Sequence, residues 1–309
     1  MKKITLTFLA GTLAVLQLHA QTSLDTVAVA AKDTSWKIGG NVSLNFNQVS
    51  LTNWAAGGES TISFNGLAIG FANYRKDKWA WDNGILMGYG MTKIGSDPLI
   101  KNDDRIELNT RPGYEIAKNV YVSYLFNFRS QFDKGYDYTV EPEILTSEFL
   151  SPAYLINSLG LEYKPNDNFY VYFSPPTIKT TVVNADNSVI PHTLYGVDAD
   201  KNVRNEIGLY FSARYKGEIM KNVKIATKLD LFSNYTDNPQ NVDVNWELII
   251  TMQVNKYLNV NLGFQAIYDD DVLVPKGITD GVPTYGKGLQ FKETFGVGLA
   301  YSFGQKLVQ

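Results

Sequence analysis

Residues 104–116 read DRIELNTRPGYEI, and apolar and polar side chains alternate along this stretch. One set of alternate positions carries Ile106, Leu108, Thr110, Pro112, Tyr114 and Ile116, and the other carries Arg105, Glu107, Asn109, Arg111 and Glu115. Successive side chains of a β-strand point to opposite faces, whereas helical spacing would scatter these charges around all sides. The stretch therefore predicts a strand with one apolar face and one charged face.

The same alternation recurs along the chain, most clearly in VRNEIGLYFSARY at 203–215 and VDVNWELIITMQV at 242–254. The runs that fit the strand pattern are 36–47, 59–74, 79–92, 104–116, 120–132, 154–164, 169–174, 203–215, 223–235, 242–254, 258–269 and 289–303. Most exceed the usual length of roughly 5–6 residues, and a tilted strand needs roughly 9–11 to cross a bilayer. Short and long connections alternate, as in barrels with tight turns on one membrane side. We therefore predict an all-β fold, a transmembrane antiparallel β-barrel of about 12 strands in meander order.

Aromatic residues favour the same fold. The chain has 19 Tyr and 16 Phe, and outward-facing aromatic residues gather near the predicted periplasmic strand ends: Trp36, Trp79, Tyr114, Tyr163, Phe169, Tyr215 and Tyr301. Tyr and Trp concentrate where barrel strands cross the membrane interfaces. The alternative is a soluble periplasmic sandwich or lipocalin-like barrel, which would place the apolar faces inside and the charged faces in water.

The chain opens MKKITLTFLAGTLAVLQLHA, in which two lysines precede an apolar run and a small residue ends the segment. This pattern is typical of a secretory signal peptide. We predict a signal peptide at 1–20, a flexible periplasmic leader at 21–35, an outer-membrane barrel at 36–303 and a C-terminal tail at 304–309. An N-terminal membrane anchor is the alternative, although the run is short for a helical span. The predicted location is the outer membrane of a Gram-negative cell, after cleavage of the signal peptide.

Composition excludes several classes of function. The sequence contains no Cys, so it has no disulfide framework and no thiolate metal site. Its formal net charge is -3 and it has no basic block, so nucleic acid is not a predicted partner.

If the apolar faces meet lipid, the residues at the alternate positions of each strand line the barrel interior. The predicted lumen charges are Arg105, Arg111, Arg129, Arg204, Arg214, Lys224, Lys228, Lys292, Glu107, Glu115, Glu162, Glu206, Asp230, Asp243, Glu247 and Asp269. Two interpretations compete. In the first, the charges neutralise one another in a narrow lumen, with cross-strand pairs between Arg204 or Glu206 and the run from Lys224 to Asp230. In the second, they form a selectivity path for a small polar solute.

Catalytic and metal sites find little support. The mature chain has one histidine, His192, in the longest predicted loop, and a serine catalyst needs its base within hydrogen-bond reach. Asp269, Asp270 and Asp271 open another loop without the spacing of an EF-hand. We predict no enzyme activity, no catalytic residue, no metal and no cofactor.

The segment 46–66, FNQVSLTNWAAGGESTISFNG, interrupts the alternation and forms the first long connection. Its glycines, Gly57 and Gly58, can adopt a positive φ and close a hairpin. Trp54 and Asn53 lie in what should be a watery loop, and Trp54 is predicted to fold inward as a lid over the lumen or to lie at the headgroup level.

The wider stretch 36–63, WKIGGNVSLNFNQVSLTNWAAGGESTIS, resembles the N-terminal hallmark of a family of Bacteroidota outer-membrane barrels grouped as a domain of unknown function, number 3078. The matching residues include an NW-x-x-GG motif and are Trp36, Gly39, Asn45, Phe46, Ser50, Asn53, Trp54, Gly57 and Gly58. The resemblance implies an outer-membrane barrel over roughly 35–303 and little about activity, because it assigns no role to any of these residues.

Three functions follow, in order of preference. The first is a narrow, porin-like channel or transporter for small polar solutes. The second is a structural or assembly-partner barrel with a plugged lumen, and the third is an outer-membrane lipid-modifying enzyme. The expected partners are outer-membrane lipid, the barrel-assembly machinery during biogenesis, and another envelope protein.

Overall fold

A computed structural model describes residues 35–52, 59–138, 140, 142–279 and 282–304. Within these residues the strands are β1 Trp36–Val49, β2 Thr61–Lys76, β3 Trp79–Ile94, β4 Ile100–Ala117, β5 Val120–Ser130, β6 Gly135–Asp137, β7 Ile144–Ser147, β8 Ala153–Asn166, β9 Phe169–Val182, β10 Val203–Met220, β11 Val223–Asn234, β12 Val242–Gln253, β13 Leu258–Tyr268, β14 Val274–Thr279, β15 Val282–Gly286 and β16 Gln290–Gly304. A 3₁₀ turn covers His192–Tyr195. In this described part, no helix is long and apolar enough to cross a membrane.

Twelve of the strands form one closed antiparallel barrel in the order β1-β16-β13-β12-β11-β10-β9-β8-β5-β4-β3-β2. Strands that follow one another along the chain are neighbours, and the pairing of β1 with β16 closes the ring. The remaining strands form two hairpins, β6–β7 and β14–β15, inside long connections. The predicted fold class is confirmed, including the number of barrel strands and the meander order.

The barrel turns its apolar side chains outward and its charges inward. Ile207 is 55 % exposed and Leu299 is 63 % exposed, whereas Glu107 is 4 % exposed and Glu206 is 3 % exposed. Water-soluble domains show the reverse distribution, because carboxylates are rarely buried and large apolar side chains usually are. The barrel strands are 11 to 18 residues long, enough to cross a bilayer. This is the arrangement of a transmembrane barrel.

An aromatic belt surrounds the end where the chain enters and leaves the barrel. The rings of Trp79 and Tyr114 lie on adjacent strands with centroids 5.1 Å apart, and both side chains are exposed. Trp36 contacts Tyr74 at the same distance. The outward aromatic residues at this end lie where the sequence analysis predicts them, as expected for side chains at a membrane interface.

The predicted end of strand 169–174 is wrong, because β9 continues through two prolines to Val182. Ser174 pairs with Tyr210 and Thr177 pairs with Gly208, so Pro175 and Pro176 occupy a bulge. Proline has no N–H for the ladder and is accepted at bulges. The bulge also changes which residues of β9 face inward: even-numbered residues do so before it, and odd-numbered residues do so after it.

Glycines on the two strands beside β9 lie where the backbone approaches its neighbours closely. A Cβ on Gly160 of β8 would lie 2.7 Å from the Cβ of Ser174, and a Cβ on Gly208 of β10 would lie 2.8 Å from the ring of Phe232. Neither position has space for a side chain. Gly160 therefore permits the close approach of β8 to the bulged part of β9, whereas Gly208 permits a close approach of β10 to β11.

One side of the interior is packed with side chains. Leu125, Tyr172, Tyr210 and Phe232 form a buried cluster on β5, β9, β10 and β11. The hydroxyl of Tyr210 donates to Asp230 at 2.8 Å, so the buried ring keeps a polar partner.

The predicted signal peptide at 1–20, the leader up to residue 34 and the tail from residue 305 lie outside the described residues.

Candidate functional site

The barrel has two distinct ends, and positions in the interior are described relative to them. β1 begins and β16 finishes at the terminal end, where tight turns join β2 to β3, β4 to β5, β8 to β9 and β10 to β11. Long connections lie at the opposite end, which we call the long-loop end.

A salt bridge crosses the lumen near its middle. Arg105 of β4 pairs with Glu107 on the same strand, and its Nη2 donates to Oε1 of Glu247 on β12 at 2.6 Å. In the ring order β4 and β12 are six strands apart in both directions. The two side chains therefore reach each other from opposite walls.

Other charges complete a central ion-pair layer, which we define as Arg105, Glu107, Arg129, Lys228 and Glu247. Oxygens of Glu107 lie 3.7 Å from Arg129 Nε and 3.8 Å from Lys228 Nζ. The amides of Asn109 and Asn127 donate to Glu107 Oε1 at 2.9 Å and 3.0 Å. The buried carboxylate of Glu107 is thereby surrounded by donors, which offsets the cost of removing it from water.

Two cavities lie on either side of this layer. The inner chamber, toward the terminal end, has a volume of about 270 Å³, and the outer chamber, toward the long-loop end, has about 320 Å³. Of the described residues, Arg105 alone lines both chambers. The central ion-pair layer thus lies between two open spaces of the lumen.

An inner cluster of charges surrounds Asp82 toward the terminal end. Asp82 pairs with Arg75, lies 3.5 Å from Arg111 and accepts a hydrogen bond from Lys164 at 2.5 Å. Arg111 also pairs with Glu162 at 3.1 Å. Asp82 and Lys164 are absent from the predicted lumen charges, although the alternation along their strands places both on the inward face.

The terminal end is itself bridged. Lys37 of β1 donates to Asp167, in the turn between β8 and β9, at 3.1 Å, and these elements lie on nearly opposite sides of the ring. Burial raises the pKa of Asp167, but the hydrogen bond from Lys37 and the charge of Lys164 outweigh it, so the pKa lies below its usual value. The bridge narrows the opening of the inner chamber.

An outer cluster forms around Lys179, toward the long-loop end. Its Nζ lies 2.6 Å from Asp243, 2.8 Å from Asp269 and 3.6 Å from Glu206. Arg204 adds contacts to Glu206 at 3.2 Å and to Asp271 at 2.7 Å. Lys179 was missed by the sequence analysis because it follows the two prolines, in what was predicted to be a loop.

The remaining predicted charges have separate places. Asp230 pairs with Lys228 at 2.9 Å, and Glu115 accepts a hydrogen bond from the backbone N–H of Asn119 in a turn. Lys224 is exposed at the terminal end. Arg214 is exposed but lines the inner chamber.

The predicted cross-strand pairs between Arg204 or Glu206 and the run from Lys224 to Asp230 are wrong. The β10–β11 hairpin sets Arg214 opposite Lys228 and Glu218 opposite Lys224, so Arg204 and Glu206 lie far from that run. Antiparallel pairing joins the end of one strand to the start of the next, and this order fixes which charges can meet.

Carboxylates of the acidic loop are paired with different cations. Asp269 contacts Lys179, Asp271 contacts Arg204, and Asp270 contacts Lys287 at 2.6 Å. The hydrogen bond from Lys287 lowers the pKa of Asp270. Across the described ranges, no group of three His, Cys, Asp or Glu residues is arranged to hold a metal ion.

The motif residues Asn53, Trp54, Gly57 and Gly58 lie outside the described residues, and the hypothesis of an inward lid stays a prediction.

Comparisons with solved structures give similar barrels of low identity. An outer membrane channel from Pseudomonas putida F1 is 10 % identical, with 92 % of this chain and 100 % of that chain covered and a TM-score of 0.38. The translocator domain of autotransporter NalP from Neisseria meningitidis is 10 % identical, with 88 % and 90 % covered and a TM-score of 0.36. OmpT, an outer membrane protein of Vibrio cholerae, is 10 % identical, with 89 % and 100 % covered and a TM-score of 0.30. At these TM-scores the likeness carries no inference about function.

A search of curated protein sequences gives no match. The family described as "Protein of unknown function (DUF3078)" matches residues 46–136, so the family resemblance predicted from the sequence is confirmed over that segment.

Proposed function

We propose that this chain is an outer-membrane barrel of a Gram-negative cell whose lumen is a narrow path for small polar solutes, held closed by the central ion-pair layer. The apolar exterior and the strand lengths support the membrane location. In this location the terminal end faces the periplasm and the long-loop end faces the outside.

The observation that carries this proposal is the pair of chambers that meet at Arg105. Filling a lumen with apolar side chains is often at least as stable as filling it with buried ion pairs. This barrel instead keeps open space on both sides of one charged layer. Arg105 is the one described residue that both chambers share, so the barrier at this point is one side chain thick.

Planar-bilayer recordings test the proposal. The purified barrel is expected to conduct poorly, and the double variant Arg105→Ala with Glu247→Ala is expected to conduct more, because both halves of the crossing bridge are removed. Lys224→Ala, which removes an exposed charge outside the layer, is the matched control and should behave like the unaltered protein. Equal, negligible conductance for all three proteins would contradict a solute path.

A permanently plugged, structural or assembly-partner barrel is the second candidate. Contacts among three long connections favour it: Tyr195 Oη donates to Thr146 O at 2.6 Å, Leu273 N donates to Leu194 O at 2.9 Å, and Tyr285 Oη contacts Asp137. These contacts cover part of the long-loop end. Negligible conductance of the double variant together with co-purification of an envelope protein from native membranes would favour this candidate.

We also propose that the chain has no catalytic role. His192 is 3 % exposed, and its Nδ1 and Nε2 lie 2.5 Å and 2.8 Å from the backbone oxygens of Lys201 and Ala185. Both ring nitrogens are thus engaged with main chain, whereas a catalytic base needs one nitrogen facing its nucleophile. Unchanged lipid A and phospholipid profiles in a His192→Ala strain are expected.

The proposed partners are outer-membrane lipid, the barrel-assembly machinery and another envelope protein, without nucleic acid.

A further inference from the structure

The inner chamber has two unlike walls. Arg214 and Lys216 of β10 line one side, whereas Ile69 and Phe71 of β2 line another, together with Leu86 of β3. In the ring order β10 and β2 are six strands apart in both directions. The cationic wall therefore faces the apolar wall across the lumen.

The two cations of this wall lack carboxylate partners. Four acidic residues line the chamber, and each pairs elsewhere: Asp82 with Arg75, Arg111 and Lys164, Asp167 with Lys37, Glu107 with Arg105, and Glu247 with Arg105. Among the described residues, neither Arg214 nor Lys216 forms an ion pair. The chamber consequently presents two free positive charges.

We propose that the inner chamber binds a small organic carboxylate, with its head group between Arg214 and Lys216 and its apolar tail against Ile69 and Phe71. Alternate residues of a strand are spaced by about 7 Å on one face, so one carboxylate can contact both cations. Bonds between charged donors and a carboxylate are stronger than neutral ones. The tail would remove apolar surface of the opposite wall from water.

The cavity volume restricts the size of the ligand. At about 270 Å³ the chamber lies just below the range of roughly 300–1,000 Å³ typical of sites for drug-sized molecules. A short-chain carboxylate fits this space, and its hydrocarbon tail, which a sugar lacks, matches the apolar wall. The site rests on the proposed function, since it names the solute class that the periplasmic side of the path would hold.

Calorimetric titration of the full barrel in detergent micelles tests the site with three probes. Pentanoate is expected to bind, and pentanamide, which has the same shape without the charge, is expected to bind at least tenfold more weakly. Inorganic phosphate, which has charge without an apolar tail, should also bind at least tenfold more weakly. Arg214→Gln and Lys216→Gln should each weaken pentanoate binding tenfold or more.

Lys224→Gln is the matched control, because it removes a positive charge from the same end of the barrel without touching the chamber. It should leave pentanoate binding unchanged. Equal binding of pentanamide, or an equal loss in Lys224→Gln, would overturn the cationic head-group site. Equal binding of phosphate would overturn the role of the apolar wall.

A second variant keeps the proposal testable if a cation variant fails to fold. Phe71→Asn leaves both cations in place and should abolish the preference for pentanoate over phosphate; an unchanged preference would refute the apolar wall. Heat-modifiable gel mobility reports folding of each variant. Pentanoate binding is measured on the unaltered, closed barrel, and conductance is measured on the layer variants. Absence of pentanoate binding would therefore refute the carboxylate site alone. Absence of conductance in the layer variants would refute the solute path alone.

Discussion

Replacing Lys179 with methionine is expected to lower the free energy of unfolding by about 3–5 kcal/mol, the usual effect of removing one partner from a buried ion pair. Lys179 is 7 % exposed and contacts Asp243, Asp269 and Glu206 within 3.6 Å. Methionine keeps an unbranched chain of similar length but removes the ammonium. Glu206 retains Arg204, so the loss falls mainly on the other two carboxylates.

Urea unfolding in detergent micelles, followed by heat-modifiable gel mobility, measures the effect. Lys201→Met is the matched control, because Lys201 pairs with Asp198 on the surface and exposed pairs contribute at most about 1 kcal/mol. Adding Asp243→Asn to Lys179→Met should restore part of the stability, since one uncompensated carboxylate is then neutral. If Lys179→Met costs no more than Lys201→Met, Lys179 does not face the interior and the parity change after the two prolines is refuted.

Three further outcomes are expected. Gly160→Ala should destabilise the barrel by about 1–3 kcal/mol through overpacking against Ser174, whereas Gly84→Ala, whose Cβ would meet its nearest atom at 3.8 Å, should cost little; equal unfolding midpoints would refute the tight bulge. A spin label at Leu209 should report contact with acyl chains, and a water-exposed signal would contradict the inside-out barrel. The pKa of Asp167 is lowered, so its bridge to Lys37 contributes stability above the ordinary value of 3.8 and loses it as the pH falls through the lowered pKa. The difference in unfolding midpoint between the unaltered protein and Asp167→Asn should therefore vanish in strong acid, and a constant difference would refute the bridge.

The fold could be predicted from the sequence because one physical rule repeats in every barrel strand. In β4 the apolar set containing Leu108 faces outward and the charged set containing Glu107 faces inward, as alternation requires. A long strand with two unlike faces has few stable environments, and the bilayer with a wet lumen is one of them. The order of the strands could also be predicted from the sequence, because tight turns join strands that are neighbours in the barrel.

The site could be predicted only in part, because alternation along a strand shows which residues face the lumen but does not show which charges pair there. Arg105 and Glu247 are 142 residues apart in the sequence, and their meeting depends on the size and closure of the ring. Lys179 depends on a bulge that accommodates Pro175 and Pro176, which by local rules indicate the end of a strand. Neither feature has a signal in the residues immediately around it.

The distribution of partners, more than the balance of charges, distinguishes the two chambers. The predicted inward set is nearly balanced in sign, which on its own indicates a neutral filling. In the outer chamber Lys101 pairs with Asp104 and Lys292 pairs with Asp103, so its charges are satisfied within the wall. In the inner chamber Arg214 and Lys216 line the space without an ion pair among the described residues. A charge that is paired within the wall interacts weakly with a solute, whereas one that faces only water can exchange that water for a ligand. Selectivity of the proposed path is therefore expected to arise on the terminal-end side of Arg105 and to favour anions.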